Sequence, residues 1–171
     1  MKVIGSILVM IASCGIGFLY AGELVRRKKE LEEQYNLMKL ILGDVRYMRA
    51  TLLEAVNRAI RIHKGSYLEF LEEISACLTD APGIALSDIW KNAVEKALCR
   101  SALNNEDKQN IILLGENLSG AERENVIACF EEYLDGLKIR IAESGNCLPT
   151  KTRLYRSLGV LAGAFIVVLF M

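Results

Sequence analysis

A chain of 171 residues holds one domain with room for membrane anchors, and its 21 basic and 21 acidic residues favour neither an acidic nor a basic partner. No basic stripe interleaved with aromatics occurs, so nucleic-acid binding has no support. Five scattered cysteines (Cys14, Cys77, Cys99, Cys129, Cys147) without any CxxC pair exclude a disulfide framework and read as small buried residues of a reducing compartment.

The first element is apolar. Residues 3–22, VIGSILVMIASCGIGFLYAG, are charge-free, and a 20-residue helix spans about 30 Å, the thickness of a hydrocarbon core. Arg26, Arg27, Lys28 and Lys29 follow at once as headgroup anchors, and Lys2 alone precedes it. Ile11-Ala12-Ser13-Cys14 has the outline of a lipoprotein cleavage box. The apolar run continues past it through Phe18, Leu19 and Tyr20, and cleavage there would leave the basic cluster outside, so an uncleaved anchor is expected.

From Arg26 to Ile62 the pattern reads as one long helix. Leu31, Tyr35, Met38, Leu42, Val45, Leu52, Val56 and Ala59 recur at alternating spacings of four and three, with Arg49 as the one interruption. Packing within a bundle is favoured over an intermolecular coiled coil for this stripe. Lys64-Gly65 ends it, and Ser66 with Glu69 forms a capping box for a helix carrying Leu68, Leu71, Ile74 and Leu78. The turn Asp80-Ala81-Pro82-Gly83 closes that helix. Ser87 is the expected N-cap of the next, with Trp90 anchoring the core. Asn104 or Asn105 caps a helix ending near Leu118. Ser119 and Glu122 make a second capping box, opening a helix through Val126, Phe130, Tyr133, Leu137 and Ile141. Gly145, Asn146 and Pro149 are expected to break or kink the chain. No segment alternates with period two, so the middle is all helix.

The last run, from Leu158 to Met171, is short for a membrane helix. A start at Leu154, with Arg153, Tyr155 and Arg156 at the headgroups, adds a turn. Seven basic residues flank the inner ends of the two runs, the last three being Lys151, Arg153 and Arg156, which places residues 23–156 in the cytoplasm and both termini across the membrane. Met171 then falls near the far interface. Gly159 and Gly163, four apart, and Ser13, Gly17 and Ala21, at the same spacing, are candidate close-packing faces for each other or for partner helices. The expected organisation is a transmembrane helix over 1–22, a helical bundle over 23–150 and a second transmembrane helix over 154–171.

Chemistry is not signalled. No GxxxxGK[ST] loop is present, and adjacent carboxylates such as Glu72-Glu73 and Glu131-Glu132 point about 100° apart on a helix. The one histidine, His63, has no Cys or His beside it, reads as a helix-end or surface residue, and leaves no tied triad. No enzyme activity, cofactor or metal is expected. Arg46, Arg49 and Arg58 form a charged face that fits either a solvated flank or a docking surface.

Local detail then resembles one family. The ending Tyr155-Arg156-Ser157-Leu158-Gly159-Val160-Leu161-Ala162-Gly163 is similar to the C-terminus of the stage III sporulation protein AB family. So are Asp44-Val45-Arg46-Tyr47 with Leu52-Leu53-Glu54-Ala55, Trp90, and Leu114-Gly115-Glu116-Asn117-Leu118 with Arg123-Glu124-Asn125. The resemblance runs end to end. Ala50-Thr51-Leu52-Leu53 stands where that family usually carries a proline-bearing turn, and Val126 where it has a glutamine. The resemblance implies a protein of endospore-forming bacteria in the mother-cell membrane around the forespore. It implies a domain similar to that of the type II secretion inner-membrane platform protein, within a secretion-like transenvelope complex. Implied partners are the membrane subunits of that complex, a companion secretion-type ATPase, the lipid bilayer and further copies of the chain. The alternative is a membrane-anchored helical scaffold or assembly factor of another system.

Overall fold

The computed structural model describes the backbone of residues 2–80 and 83–170, and the side chains of residues 19–80, 83–146 and 157. Six helices occur in order, α1 (Lys2–Tyr47), α2 (Leu52–Ile62), α3 (Leu68–Asp80), α4 (Leu86–Ala97), α5 (Asn105–Leu118) and α6 (Arg123–Phe170), with no strand among the described residues. The chain divides into two compact units, residues 1–28 with 142–171, and residues 29–141.

The second unit is a helical bundle. On α1, Leu31, Leu37, Met38, Ile41, Leu42 and Val45 are buried, a wider stripe than two positions per heptad. The expected single helix from Arg26 to Ile62 is in fact two. It stops at Tyr47, and Arg49 takes a left-handed conformation at φ 53°. The side chain that broke the apolar register thus marks the break in the helix. Thr51 restarts it with a full capping box. Its Oγ1 accepts from the Glu54 N–H at 3.3 Å, while Glu54 Oε2 accepts from the Thr51 N–H at 2.7 Å. Helix α2 turns Ala55, Val56 and Ala59 inward.

Three other helix starts differ from the sequence reading. The box at Ser66 is absent. Glu33 of α1 takes its place, accepting from the Ser66 N–H at 2.6 Å and facing His63 Nε2 at 2.9 Å, and α3 begins at Leu68. A carboxylate from another helix satisfies the donor that a local Glu69 was expected to satisfy. Ala85, not Ser87, is the N-cap of α4, with no side-chain hydrogen bond. Ser119 is the C-cap of α5, so it cannot open α6, and the Glu122 carbonyl accepts instead from the Val126 N–H at 2.9 Å. Asn104 does cap α5, in a reciprocal box with Asp107. Residues 81 and 82 of the expected turn lie outside the described residues.

Trp90 is fully buried and meets the Phe70 ring edge-on, centroids 5.5 Å apart, with Tyr67 edge-on to Phe70 at 6.4 Å. On α5, Gly115 lies under the indole: a Cβ there would fall 2.3 Å from Trp90 Cγ, so only glycine allows the approach. Within this unit α6 runs antiparallel to α1, Gln34 meeting Tyr133 and Val45 meeting Arg123. His63 is the C-cap of α2, a helix end as expected. Cys77 and Cys129 are half-buried and Cys99 is exposed, so the expectation of buried cysteines fails at Cys99.

In the first unit, Ala21 is buried while Leu19, Tyr20 and Val25 are exposed, and Lys28 Nζ would lie 3.6 Å from a Cβ at Gly145. The backbone of α6 is helical through Gly145, Asn146 and Pro149, so the expected break there is absent. No helix among the described residues is long and apolar enough to cross a membrane; the side chains of 1–18, 147–156 and 158–171, which hold most of both apolar runs, lie outside them.

Candidate interaction surface at the end of α1

Helix α1 travels about 27 Å from Lys29 to Tyr47 and ends in a turn where the carbonyls of Asp44, Val45 and Arg46 are satisfied. The Asp44 carbonyl accepts from the Met48 N–H at 3.1 Å and the Ala50 N–H at 3.3 Å. The next two carbonyls are capped from another helix. Arg123, the first residue of α6, donates to Val45 O through Nε and Nη2 at 3.2 and 2.8 Å, and to Arg46 O through Nη2 at 3.0 Å. A guanidinium at a helix C-terminus also meets the negative end of the dipole. Arg58 Nε sits 3.5 Å from the buried Asp44 Oδ2, and Arg58 also contacts Met48 Sδ. Arg46 pairs with Glu131, and that hydrogen bond raises its pKa. Of the three arginines in the expected charged face, two are therefore committed to carboxylates.

A tightly held turn carries loosely covered side chains. Tyr47 is 80% exposed and Met48 59%, adjacent to each other and to exposed Arg49. A bulky residue at positive φ costs about 1–2 kcal/mol over a right-handed one, and such strain gathers where a fixed display is needed. Aromatic, methionine and arginine side chains are the types enriched in protein interfaces. The arrangement presents a small, rigid, amphipathic tip.

Towards the other end of the unit, α1 is held by buried polar groups. Glu30 and Gln34 of α1 are nearly inaccessible, as are Asp44 near the tip and Asp107 of α5. Glu30 Oε2 accepts from the Ala102 N–H at 2.8 Å, its carbonyl accepts from Tyr67 OH at 3.3 Å, and Gln34 Nε2 donates to Tyr133 OH at 2.7 Å. Burial, reinforced by the neighbouring carboxylates Glu30, Glu33 and Asp107, holds the Tyr67 phenol far above its ordinary pKa. Burial raises Tyr133 likewise. These polar residues sit where the apolar stripe gives no hint of them. Arg123 was visible as a motif residue, but only tertiary structure reveals it as the cap of α1.

Of the residues picked for membrane packing, Ala21 is buried; Ser13, Gly17, Gly159 and Gly163 lie outside the described side chains. Of the headgroup anchors, Arg26 and Lys29 are exposed and Arg27 and Lys28 half-buried, while Arg153, Tyr155 and Arg156 lie outside the described side chains.

A family model for stage III sporulation protein AB matches residues 2–171. No curated protein and no solved structure matches the chain. Because the match spans nearly every residue, the chain belongs to the stage III sporulation protein AB family, and that membership implies a role in sporulation.

Proposed function

We propose that the protein is a non-enzymatic platform subunit of a secretion-like transenvelope complex needed for spore formation. Its two apolar runs anchor it in the mother-cell membrane around the forespore, with the bundle in the cytoplasm, and the turn after α1 docks a companion secretion-type ATPase. The observation carrying this reading is the α1 tip. Tyr47 and Met48 are exposed on a turn that Arg123, Asp44 and Arg58 hold still. The tip ends a single 46-residue helix that begins in the first apolar run. A motor that moved the tip would act directly on that helix. Two long helices, locked by buried polar pairs, suit passing a conformational change to neighbouring membrane subunits, and this needs no chemistry in the subunit itself.

Deleting the chain from a spore-former is expected to abolish heat-resistant spores, and normal spore counts would reject the reading. A photocrosslinker replacing Tyr47 is expected to capture the ATPase in sporulating cells. Capture of partners from another system, with the ATPase absent, would assign the chain to a different membrane scaffold.

A further inference from the structure

The turn after α1 has the hydrogen bonding of a Schellman motif with an unexpected residue in it. The Ala50 N–H donates to the Asp44 carbonyl at 3.3 Å, which makes Arg49 the residue just past the helix end. That position takes a left-handed backbone and is usually glycine, which adopts it without steric cost. Arg49 adopts it at φ 53° while carrying a long side chain.

Nothing inside the chain accounts for arginine there. The other cations around the turn are engaged, Arg46 with Glu131, Arg58 with Asp44, and Arg123 with the Val45 and Arg46 carbonyls. Glu54, the nearest exposed carboxylate in the sequence, is occupied by the Thr51 N–H and hydroxyl. Arg49 is exposed and, among the described residues, has no hydrogen bond or ion pair. Its charge also stands against its surroundings: residues 29–141 carry fourteen Lys or Arg against nineteen Asp or Glu. An incoming carboxylate is repelled by the unit as a whole and attracted at this turn.

We propose that Arg49 is the specificity-determining contact of the α1 tip, pairing with an Asp or Glu side chain of the docked ATPase while Tyr47 and Met48 enter an apolar recess beside it. The inference rests on the docking reading above and adds the chemistry of the partner surface. A guanidinium and a carboxylate join through two parallel hydrogen bonds, so the pair fixes orientation as well as charge. Neighbouring aromatic and methionine side chains exclude water from such a pair and strengthen it. A strained backbone that holds an unpaired arginine in solvent has its use in that contact.

The test titrates the companion ATPase against the full chain in lipid nanodiscs. Arg49→Gly and Arg49→Asn both suit a left-handed backbone and so preserve the turn. Each is expected to weaken binding about tenfold or more, the factor for a hydrogen-bonded charged pair, while the thermal midpoint holds or rises. Arg49→Glu should weaken it further, and an Asp→Arg or Glu→Arg substitution in the ATPase should restore it. Unchanged affinity in both neutral variants, with the Tyr47 crosslinker still capturing the ATPase, overturns the role of Arg49 and leaves the docking reading standing. Failure of every acidic-to-arginine substitution in the ATPase to rescue Arg49→Glu overturns the carboxylate pairing. Crosslinking from Tyr47 to a second copy of the chain, lost in Arg49→Glu, assigns the tip to self-association and also overturns the proposal. No binding of the ATPase by the wild type overturns the docking reading itself and this inference with it.

Discussion

The α3–α4–α5 part of the bundle and the α1–α6 part hold together by different chemistry. Around Trp90 the contacts are apolar and depend on shape, with a glycine under the indole and two aromatic rings edge-on in series. Around α1, the buried apolar stripe is interrupted by buried polar groups spaced along the helix, Glu30, Gln34 and Asp44, each meeting a different element. Apolar packing resists a slide along a helix axis through shape alone. Buried polar pairs add a second constraint, because a one-turn shift strands each group without its partner. The part that meets the proposed motor is thus the part whose register is fixed by both.

The sharpest test of the apolar half is Trp90→Ala, expected to cost about 3–5 kcal/mol of unfolding free energy in denaturant titrations followed by circular dichroism. A cost near that of a surface substitution would mean the aromatic series is not the core. In the polar half, Tyr133→Phe should cost about 1–3 kcal/mol by leaving the Gln34 amide without its acceptor. Adding Gln34→Leu should return much of it, since removing both members of a buried pair is far milder than removing one. Purely additive losses would erase the contrast between the halves.

Smaller effects probe the tip. Arg123→Ala removes three charge-assisted hydrogen bonds from the α1 carbonyls and should cost about 1–2 kcal/mol. Arg49→Gly removes the left-handed penalty and should raise stability by up to about 1 kcal/mol. A loss instead would show that the Arg49 side chain holds the turn. The smallest effect appears in alkaline titration. Tyr67 and Tyr133 have pKa values raised by burial, so they stay protonated in the fold while their unfolded counterparts ionise near pH 10. Their contribution is complete below that value and declines as pH rises above it, so the thermal midpoint should drop in that range, and less steeply in Tyr67→Phe.

Much of this architecture was legible in spacing alone. The all-helical class, the helices around α3, α4 and α5, the Asn104 cap and the burial of Trp90 follow from periodicity and local side-chain chemistry. The helix starts at Ser66, Ser87 and Ser119 were misplaced because serine three residues before a carboxylate, or beside an apolar run, is a local signal that tertiary contacts override. Glu33 reaches Ser66 from 33 residues away. The break after Tyr47 was read through because the apolar stripe resumes in phase at Leu52, so only Arg49 betrayed it. The tip was half visible: the arginines stood out, but exposure of Tyr47 and Met48 depends on where the neighbouring helices stop. Buried Glu30, Gln34 and Asp44 carried no signal, since each partner lies on a distant element.

The Gln34–Tyr133 hydrogen bond joins residues 99 positions apart, and this has a consequence for how the chain is made. At about 5–20 residues per second, roughly 5–20 s of translation separate the two residues. Helices α2 to α5 can find their near neighbours during that interval, but α1 must present a stripe bearing an unanswered amide until α6 leaves the ribosome. Completion of the bundle is therefore a late event tied to the arrival of the last helix, and a chain stalled before Tyr133 would carry its first helix without that partner.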